Sequence, residues 1–268
     1  MQKTILITGS TDGIGLEAAR TLVAEGHHVL LHGRNHAKLQ DAHNALSSTA
    51  GNGQVDAVLA DLSVMKEVDG LADAVAQKYE KINVLINNAG VYDPPQPLTQ
   101  DGLDARFAVN TIAPYLLTQR LSPMLGPSGR VINISSAAQS PVDLEALAKH
   151  TALSDMEAYS QSKLALMMWS RHIALQSTDT GPMIVSVNPG SMLGTKMVKD
   201  AFGVAGNDIQ IGADILCRAA TSDEFAEKSG QYFDNDAQRF ADPHPDGLDS
   251  TKNGKVVAVI SEVLARLS

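Results

Sequence analysis

The sequence predicts a single α/β domain over residues 1–268, a doubly wound, central parallel sheet of about seven strands with helices on both faces. Three observations predict it. Short apolar, β-branched runs alternate with longer amphipathic stretches, as parallel strands and their crossover helices require. A glycine-rich turn, Thr8-Gly9-Ser10-Thr11-Asp12-Gly13-Ile14-Gly15, joins the first run to the first stretch. Polar residues gather at the C-terminal ends of the runs, at Thr8, Arg34, Asp61, Asn88 and Ser135, and open parallel sheets bind ligands along that edge.

Taken in order, strands are expected at Thr4–Ile7, His28–Leu31, Gln54–Leu59, Val84–Ile86, Arg130–Ile134 and Ile184–Val187. Helices are expected at Ile14–Glu25, Ala37–Leu46, Glu67–Tyr79, Leu103–Leu121 and Glu157–Gln176, with Gly26 as a left-handed stop after the first. The stretch Asp242–Asp249, with Pro243, Pro245 and Gly247, reads as an irregular excursion before a last helix, Lys255–Leu267. With 268 residues and 44% hydrophobic composition, the chain supports one large core better than two small ones.

The formal net charge of -9 argues against nucleic acid or anionic membrane as the main partner, while leaving room for a local phosphate pocket. The one cysteine, Cys217, excludes an intrachain disulfide, suits a reducing cytoplasm and reads as a small buried hydrophobe. Met1–Gly9 reads as a strand running into a turn rather than a signal peptide, and no apolar run approaches the ~20 residues of a membrane helix. None of the eight histidines has convincing ligand spacing, so no metal is expected. Trp169, with Met167 and Met168, reads as packing.

Gly9, Gly13 and Gly15, between strand and helix, let the backbone approach a pyrophosphate whose charge the helix N-terminus stabilises; Ser10, Asp12 and Ile14 complete this Rossmann-type turn. An acidic residue at the end of the second strand would select NAD through the ribose 2′-hydroxyl. The chain instead has His32-Gly33-Arg34-Asn35, and the Arg34 guanidinium suits a 2′-phosphate. NADP(H) is therefore the preferred cofactor, with NAD(H) possible.

Tyr159 and Lys163, four residues apart, share one face of a helix. Reduction of a carbonyl needs a proton donor, and a free tyrosine with a pKa of about 10 is poorly matched to neutral pH. An ammonium about 4 Å away at an effective dielectric of about 20 would favour the tyrosinate by roughly 4 kcal/mol, or about three pKa units.

These motifs, in this order, resemble the short-chain dehydrogenase/reductase family in its compact single-domain branch. They are Thr8-Gly-x-x-x-Gly-Ile-Gly15, Asp61-Leu62, Asn87-Asn88-Ala89-Gly90, Asn110, Ser135-Ser136, Tyr159-x-x-x-Lys163 and Pro189-Gly190, running from residue 4 to about residue 195. The resemblance implies that Asp61 and Leu62 hold the adenine end, that Asn88, Ala89 and Gly90 shape the floor of the cofactor site, and that Pro189 and Gly190 line the nicotinamide. Thr195 is implied near the carboxamide, one residue further past Gly190 than usual, and Ser191 could share that role. Tyr159 would be general acid or base, with Lys163 beside it against the cofactor. Ser136 rather than Ser135 would hold the substrate oxygen, provided the strand register holds, and Asn110 would hold a water linking Lys163 to solvent.

The 23-residue interval from Ser136 to Tyr159 is lengthened, as in retinol-dehydrogenase-type and protochlorophyllide-reductase-type members, and walls one side of the expected pocket. The implied activity is hydride transfer between NADP(H) and a carbonyl or secondary alcohol. The alternatives are an NAD-dependent alcohol dehydrogenase, an NADP(H)-sensing regulator without turnover, or epimerase or dehydratase chemistry on a nucleotide sugar. Met192, Leu193, Met197, Val198 and Phe202 point to a partly apolar small molecule. Relatives often pair through the helices holding Asn110 and Tyr159, so a homo-oligomer is possible.

Overall fold

The computed structural model describes residues 1–177 and 181–267. The chain runs β1 (Thr4–Ile7), α1 (Gly13–Ala24), β2 (His28–Gly33), α2 (His36–Ser47), β3 (Gln54–Leu59), α3 (Met65–Lys78) and β4 (Val84–Asn87). A broken helical run, α4 (Ala105–Phe107), a π turn (Ala108–Ile112) and α5 (Ala113–Leu125), leads to β5 (Arg130–Ile134), α6 (Leu144–Ala148), α7 (Asp155–Gln176) and β6 (Met183–Asn188). The remainder is α8 (Lys196–Phe202), α9 (Gln210–Thr221), β7 (Tyr232–Asp234), β8 (Arg239–Ala241), α10 (Pro245–Leu248) and α11 (Ser250–Leu267).

The sheet order is β3-β2-β1-β4-β5-β6-β7-β8. Neighbours are parallel as far as β7, and β8 returns antiparallel. The expected central parallel sheet of about seven strands is present as β1–β7, with β8 added antiparallel at its edge. β7 and β8 are three residues each, too short to show a period of two. The expected irregular excursion also contains the short α10, and the last helix starts at Ser250, five residues before Lys255.

Alternation along the strands builds two cores. Ile5, Ile7, Val29 and Leu31 pack on one face with Ala18 and Leu22 of α1 and Ile215 of α9. Leu6, Leu30, Leu85 and Val131 face the other way, toward α3, α5, α7 and α11. Cys217 lies in the first core, 6% exposed, and burial pushes its thiol up to about 12, so it is the inert hydrophobe the sequence suggests.

The helix expected over Leu103–Leu121 is interrupted. Pro114 has no N–H to give the carbonyl of Asn110, and the ladder passes through the π turn carrying Asn110 before resuming in α5. α11 lies along α7 with Val256, Ile260 and Val263 buried in the core that contains Trp169. Tyr115 of α5 sets its ring edge-on to Trp169 at 5.6 Å. No helix among the described residues is long and apolar enough to cross a membrane.

Candidate active site

β1 and β4 are neighbours, and between them the sheet order reverses; Ile7 is in register with Ile86. The glycine turn and the Asn88-Ala89-Gly90 turn therefore leave the sheet side by side, at the crevice where doubly wound sheets bind ligands. Thr8 and Asn88 tie them together. Thr8 Oγ1 accepts from the backbone N–H groups of Asn88 and Ala89 at 3.0 and 3.1 Å. Asn88 Nδ2 donates to the carbonyls of Thr8 and Gly9 at 2.8 and 3.0 Å. A Cβ on Gly15 would fall 2.4 Å from Asn88 Nδ2, so this close approach requires glycine.

A cavity of about 640 Å³ opens above this crevice. It is lined by Gly9, Asp12, Gly13, Ile14, Gly15, Arg34, Asp61, Leu62, Asn88, Ala89, Gly90, Ser136, Tyr159, Lys163, Pro189, Gly190 and Thr195. Two of the predicted site residues are placed elsewhere. Ser10 is fully buried and turned inward, its hydroxyl donating to Ile7 O at 2.9 Å and accepting from the backbone N–H of His32 at 2.9 Å. It braces the turn from behind, and its neighbour Thr11 reaches the cavity instead. Asn110 also stays behind the wall. Its Oδ1 accepts from Val91 N at 2.8 Å, and its Nδ2 donates to Val91 O at 2.9 Å and Ser162 Oγ at 3.0 Å. The side chain is thus engaged in fixing the chain just past Gly90.

The structure adds His32, which sequence reading set aside. Its Nδ1 accepts from Gly9 N–H at 3.1 Å, so the proton sits on Nε2, which faces Ala60 O at 3.1 Å. Burial lowers its pKa to about 4, keeping a neutral ring that bridges the ends of three strands beneath the glycine turn. Asp12 caps α1, accepting from Gly13 N at 2.8 Å. Arg34 is exposed at the rim and, among the described residues, makes no hydrogen bond or ion pair. A Cβ on Gly33 would come within 2.5 Å of the Thr11 methyl group, so an acidic side chain cannot be placed at that position without a shift.

The opposite end of the cavity carries the titratable groups. Ser135 turns away, 2% exposed, its hydroxyl donating to Lys163 O at 3.3 Å. Ser136 faces Tyr159 and hydrogen-bonds its phenol, while its Oγ accepts from Ala138 N at 3.1 Å. Lys163 Nζ donates to Ile134 O at 2.8 Å and lies 5.7 Å from the Tyr159 ring centroid. The chain's own groups do not by themselves acidify the phenol. Burial raises the Tyr159 pKa above its ordinary value, the Ser136 hydroxyl opposes that rise and Tyr92 adds to it. Burial also lowers Lys163 to about 8, which still leaves it mainly an ammonium at neutral pH.

Tyr92 sets its ring edge-on to Tyr159 at 5.2 Å, and Phe202 at the end of α8 reaches Tyr92 at 5.5 Å. Thr195 caps α8, with Oγ1 accepting from Val198 N at 3.3 Å, and its methyl lies over Gly13. No cluster of three potential metal-ligating side chains exists among the described residues.

Comparison with known proteins is consistent with this geometry. Residues 3–203 match the short chain dehydrogenase family model. The chain is 33% identical over 253 residues to short-chain dehydrogenase TIC 32 A, chloroplastic, of Brassica napus, covering 86% of this chain and 79% of that protein. It is 28% identical over 260 residues to human retinol dehydrogenase 13, covering 90% and 78%. A short-chain dehydrogenase of Shigella flexneri, solved as a complex with NADP, superposes with a TM-score of 0.68 at 26% identity, covering 87% of this chain and 97% of that one.

Proposed function

Because the chain belongs to the short-chain dehydrogenase family, of the retinol-dehydrogenase type, we propose that this oxidoreductase uses NADP(H) to interconvert a carbonyl and a secondary alcohol, with Tyr159 moving the proton. One observation carries the reading. The tyrosine, the serine that hydrogen-bonds it and the buried lysine meet the glycine turn in a single cavity.

The residues fit a dinucleotide, since the glycine turn at the N-terminus of α1, Arg34 at the rim and the Asn88–Gly90 turn line one cavity. Gly9, Gly13 and Gly15 would face the pyrophosphate at the N-terminus of α1, Asp61 and Leu62 the adenine, and Pro189, Gly190 and Thr195 the nicotinamide. When bound, the nicotinamide supplies or accepts the hydride and, oxidised, carries a positive charge beside the phenol. In reduction, Ser136 Oγ–H holds the substrate oxygen while Tyr159 Oη gives it a proton; in oxidation the phenolate takes that proton back. Lys163, anchored on Ile134 O, keeps a cation near the phenol at the moment it becomes negative. Asn110 acts one layer further out, holding Val91 and hence the wall beside Lys163.

Arg34 selects the 2′-phosphate. Arg34→Ala is expected to weaken NADPH by about 1.5–3 kcal/mol, roughly 10- to 150-fold, and NADH far less. Calorimetric titration of both cofactors checks this, and equal losses would overturn the NADP(H) assignment. The substrate end is lined by Tyr92, Met156, Met192, Met197, Val198 and Phe202, with Met192 41% and Phe202 44% exposed at the mouth, which favours a partly apolar substrate. A homo-oligomer built on the outer faces of α5 and α7 would have to displace α11. The single buried thiol keeps the cytoplasm as the proposed compartment.

The test is purified protein with NADPH and a panel of aldehydes, ketones and quinones. Steady oxidation of NADPH by one of them supports the reading. Tight cofactor binding with no turnover, unchanged by Tyr159→Phe, would make the chain a sensor instead.

A further inference from the structure

The nicotinamide-facing loop, Pro189-Gly190-Ser191, is held by a turn that sequence reading passed over. That turn, Asp234–Gln238, joins β7 to β8. Asn235, 5% exposed, donates from Nδ2 to Pro189 O at 2.8 Å, and its backbone N–H donates to Asn188 O at 3.2 Å. Asp236 accepts from Ser191 N–H at 2.8 Å on one oxygen and from Ser191 Oγ–H at 2.5 Å on the other. Asn188, 2% exposed at the end of β6, splits its Nδ2 between Asp234 and Asp236, both at 2.9 Å. Every residue from Asn188 to Ser191 is therefore bonded to this turn, except Gly190, whose N–H reaches Asn188 Oδ1 at 3.3 Å.

The turn is itself fixed. Gln238 has φ +53°, an uncommon conformation for a residue with a side chain, and its Nε2 donates to both Asn235 O and Asn235 Oδ1 at 2.7 Å. Asn235 is thereby oriented with Oδ1 toward Gln238 and Nδ2 toward Pro189. The carboxylate of Asp236 is well suited to its place, because three N–H or O–H groups converge on it, from Asn188 Nδ2, Ser191 N and Ser191 Oγ. Those donors hold the Asp236 pKa below the ordinary carboxylate range against the opposing effect of burial. Ser191 has its amide and hydroxyl both directed at Asp236, which leaves Thr195 rather than Ser191 to meet a carboxamide.

We propose that Asn235 and Asp236 are positioning residues that set the nicotinamide half of the cofactor site, acting through Pro189 and Ser191 while leaving the adenosine half untouched. The inference rests on the reading that this cavity holds NADP(H). Its physical basis is separation. The adenosine end is built on β1, β2 and β3, whereas among the described residues the side-chain hydrogen bonds that leave the turn reach only Asn188, Pro189, Ser191 and the carbonyl of Ile211 on α9. Displacing the loop should thus alter where the ring sits without changing the grip on the 2′-phosphate.

Two ligands separate the halves: NADPH itself, and adenosine 2′,5′-bisphosphate, which has the 2′-phosphate but no nicotinamide. Both are titrated calorimetrically against the full chain, and the change in nicotinamide fluorescence on NADPH binding is recorded. For Asn235→Ala and the milder Asp236→Asn, NADPH affinity should fall about tenfold, the worth of one hydrogen bond, and the fluorescence change should shrink. Bisphosphate affinity should stay within about twofold of wild type, because the changed residues make no contact with that half. Parallel losses for both ligands would mean general destabilisation, and no loss for either in folded variants would mean the loop needs no support; each result overturns the proposal. A wild-type chain that binds neither ligand would overturn the cofactor reading and this inference with it, whereas failure confined to the variants' comparison leaves that reading standing.

Discussion

Tyr159→Phe is expected to lower kcat by about 10²–10⁴-fold while NADPH affinity falls by no more than about tenfold, the worth of one hydrogen bond. The substitution keeps the ring that packs against Tyr92 and removes the hydroxyl that hydrogen-bonds Ser136. The loss should therefore appear in the chemical step. Steady-state kinetics with the best member of the carbonyl panel, paired with NADPH titration, separates the two quantities. A kcat within about threefold of wild type would remove Tyr159 from the proton path, whatever the cofactor affinity, since general acid catalysis is worth at least about a hundredfold.

The second large effect concerns the frame that brings Asn110 and Tyr159 together. Arg106 and Asp104, each with side chains 2% exposed, form a two-point pair at 2.9 and 2.7 Å, and a second carboxylate, Asp155 in the first turn of α7, also bonds the guanidinium. Asp104 raises the Arg106 pKa most, ahead of burial, which opposes it. Asp104 also caps α4. Arg106→Ala leaves the buried Asp104 carboxylate with only His150, at 3.5 Å, beside it, an expected loss of about 3–5 kcal/mol, seen as a fall in Tm of roughly 10 °C. Asp155→Ala should cost less than about 1 kcal/mol, because that side chain is half exposed. If thermal unfolding shows the two variants equally stable, the buried Arg106–Asp104 pair is not what fixes α4 in place.

Much of this fold could be read directly from residue order, for a physical reason. Strands buried on both faces, such as Ile5-Leu6-Ile7 and Val84-Leu85-Ile86, are continuous apolar runs whose bounds show without a structure. β7 and β8 stayed hidden because Tyr232–Asp234 and Arg239–Ala241 draw their identity from pairing rather than from local pattern. The same holds at the site. Glycine and tyrosine–lysine spacings name the cavity, but which face of a turn points inward is set by tertiary contacts, so Ser10 turns inward and Thr11 reaches the cavity. Asn235 and Asp236 lie more than forty positions beyond the loop they hold, and no local signal connects them to it.

At Tyr159 the sequence shows the neighbouring ammonium but not the burial that opposes it: desolvation raises the phenol and lowers Lys163 to about 8. The protein's own groups therefore keep Tyr159 protonated at neutral pH, the form needed to donate in reduction. In the proposed oxidation its deprotonation would draw on the Lys163 cation and on the positive charge of an oxidised nicotinamide.

Titrating Tyr159 tests that claim most directly. With ring-labelled tyrosine and the Tyr159→Phe variant to assign the signal among the five tyrosines, its ionisation is followed by NMR in the chain alone and with NADP⁺. The pKa should lie above the ordinary value of about 10 in the chain alone and fall when NADP⁺ binds. A phenol that titrates at the same pH in both conditions would contradict the account, because the bound cofactor's charge would then not reach the group assigned to move the proton.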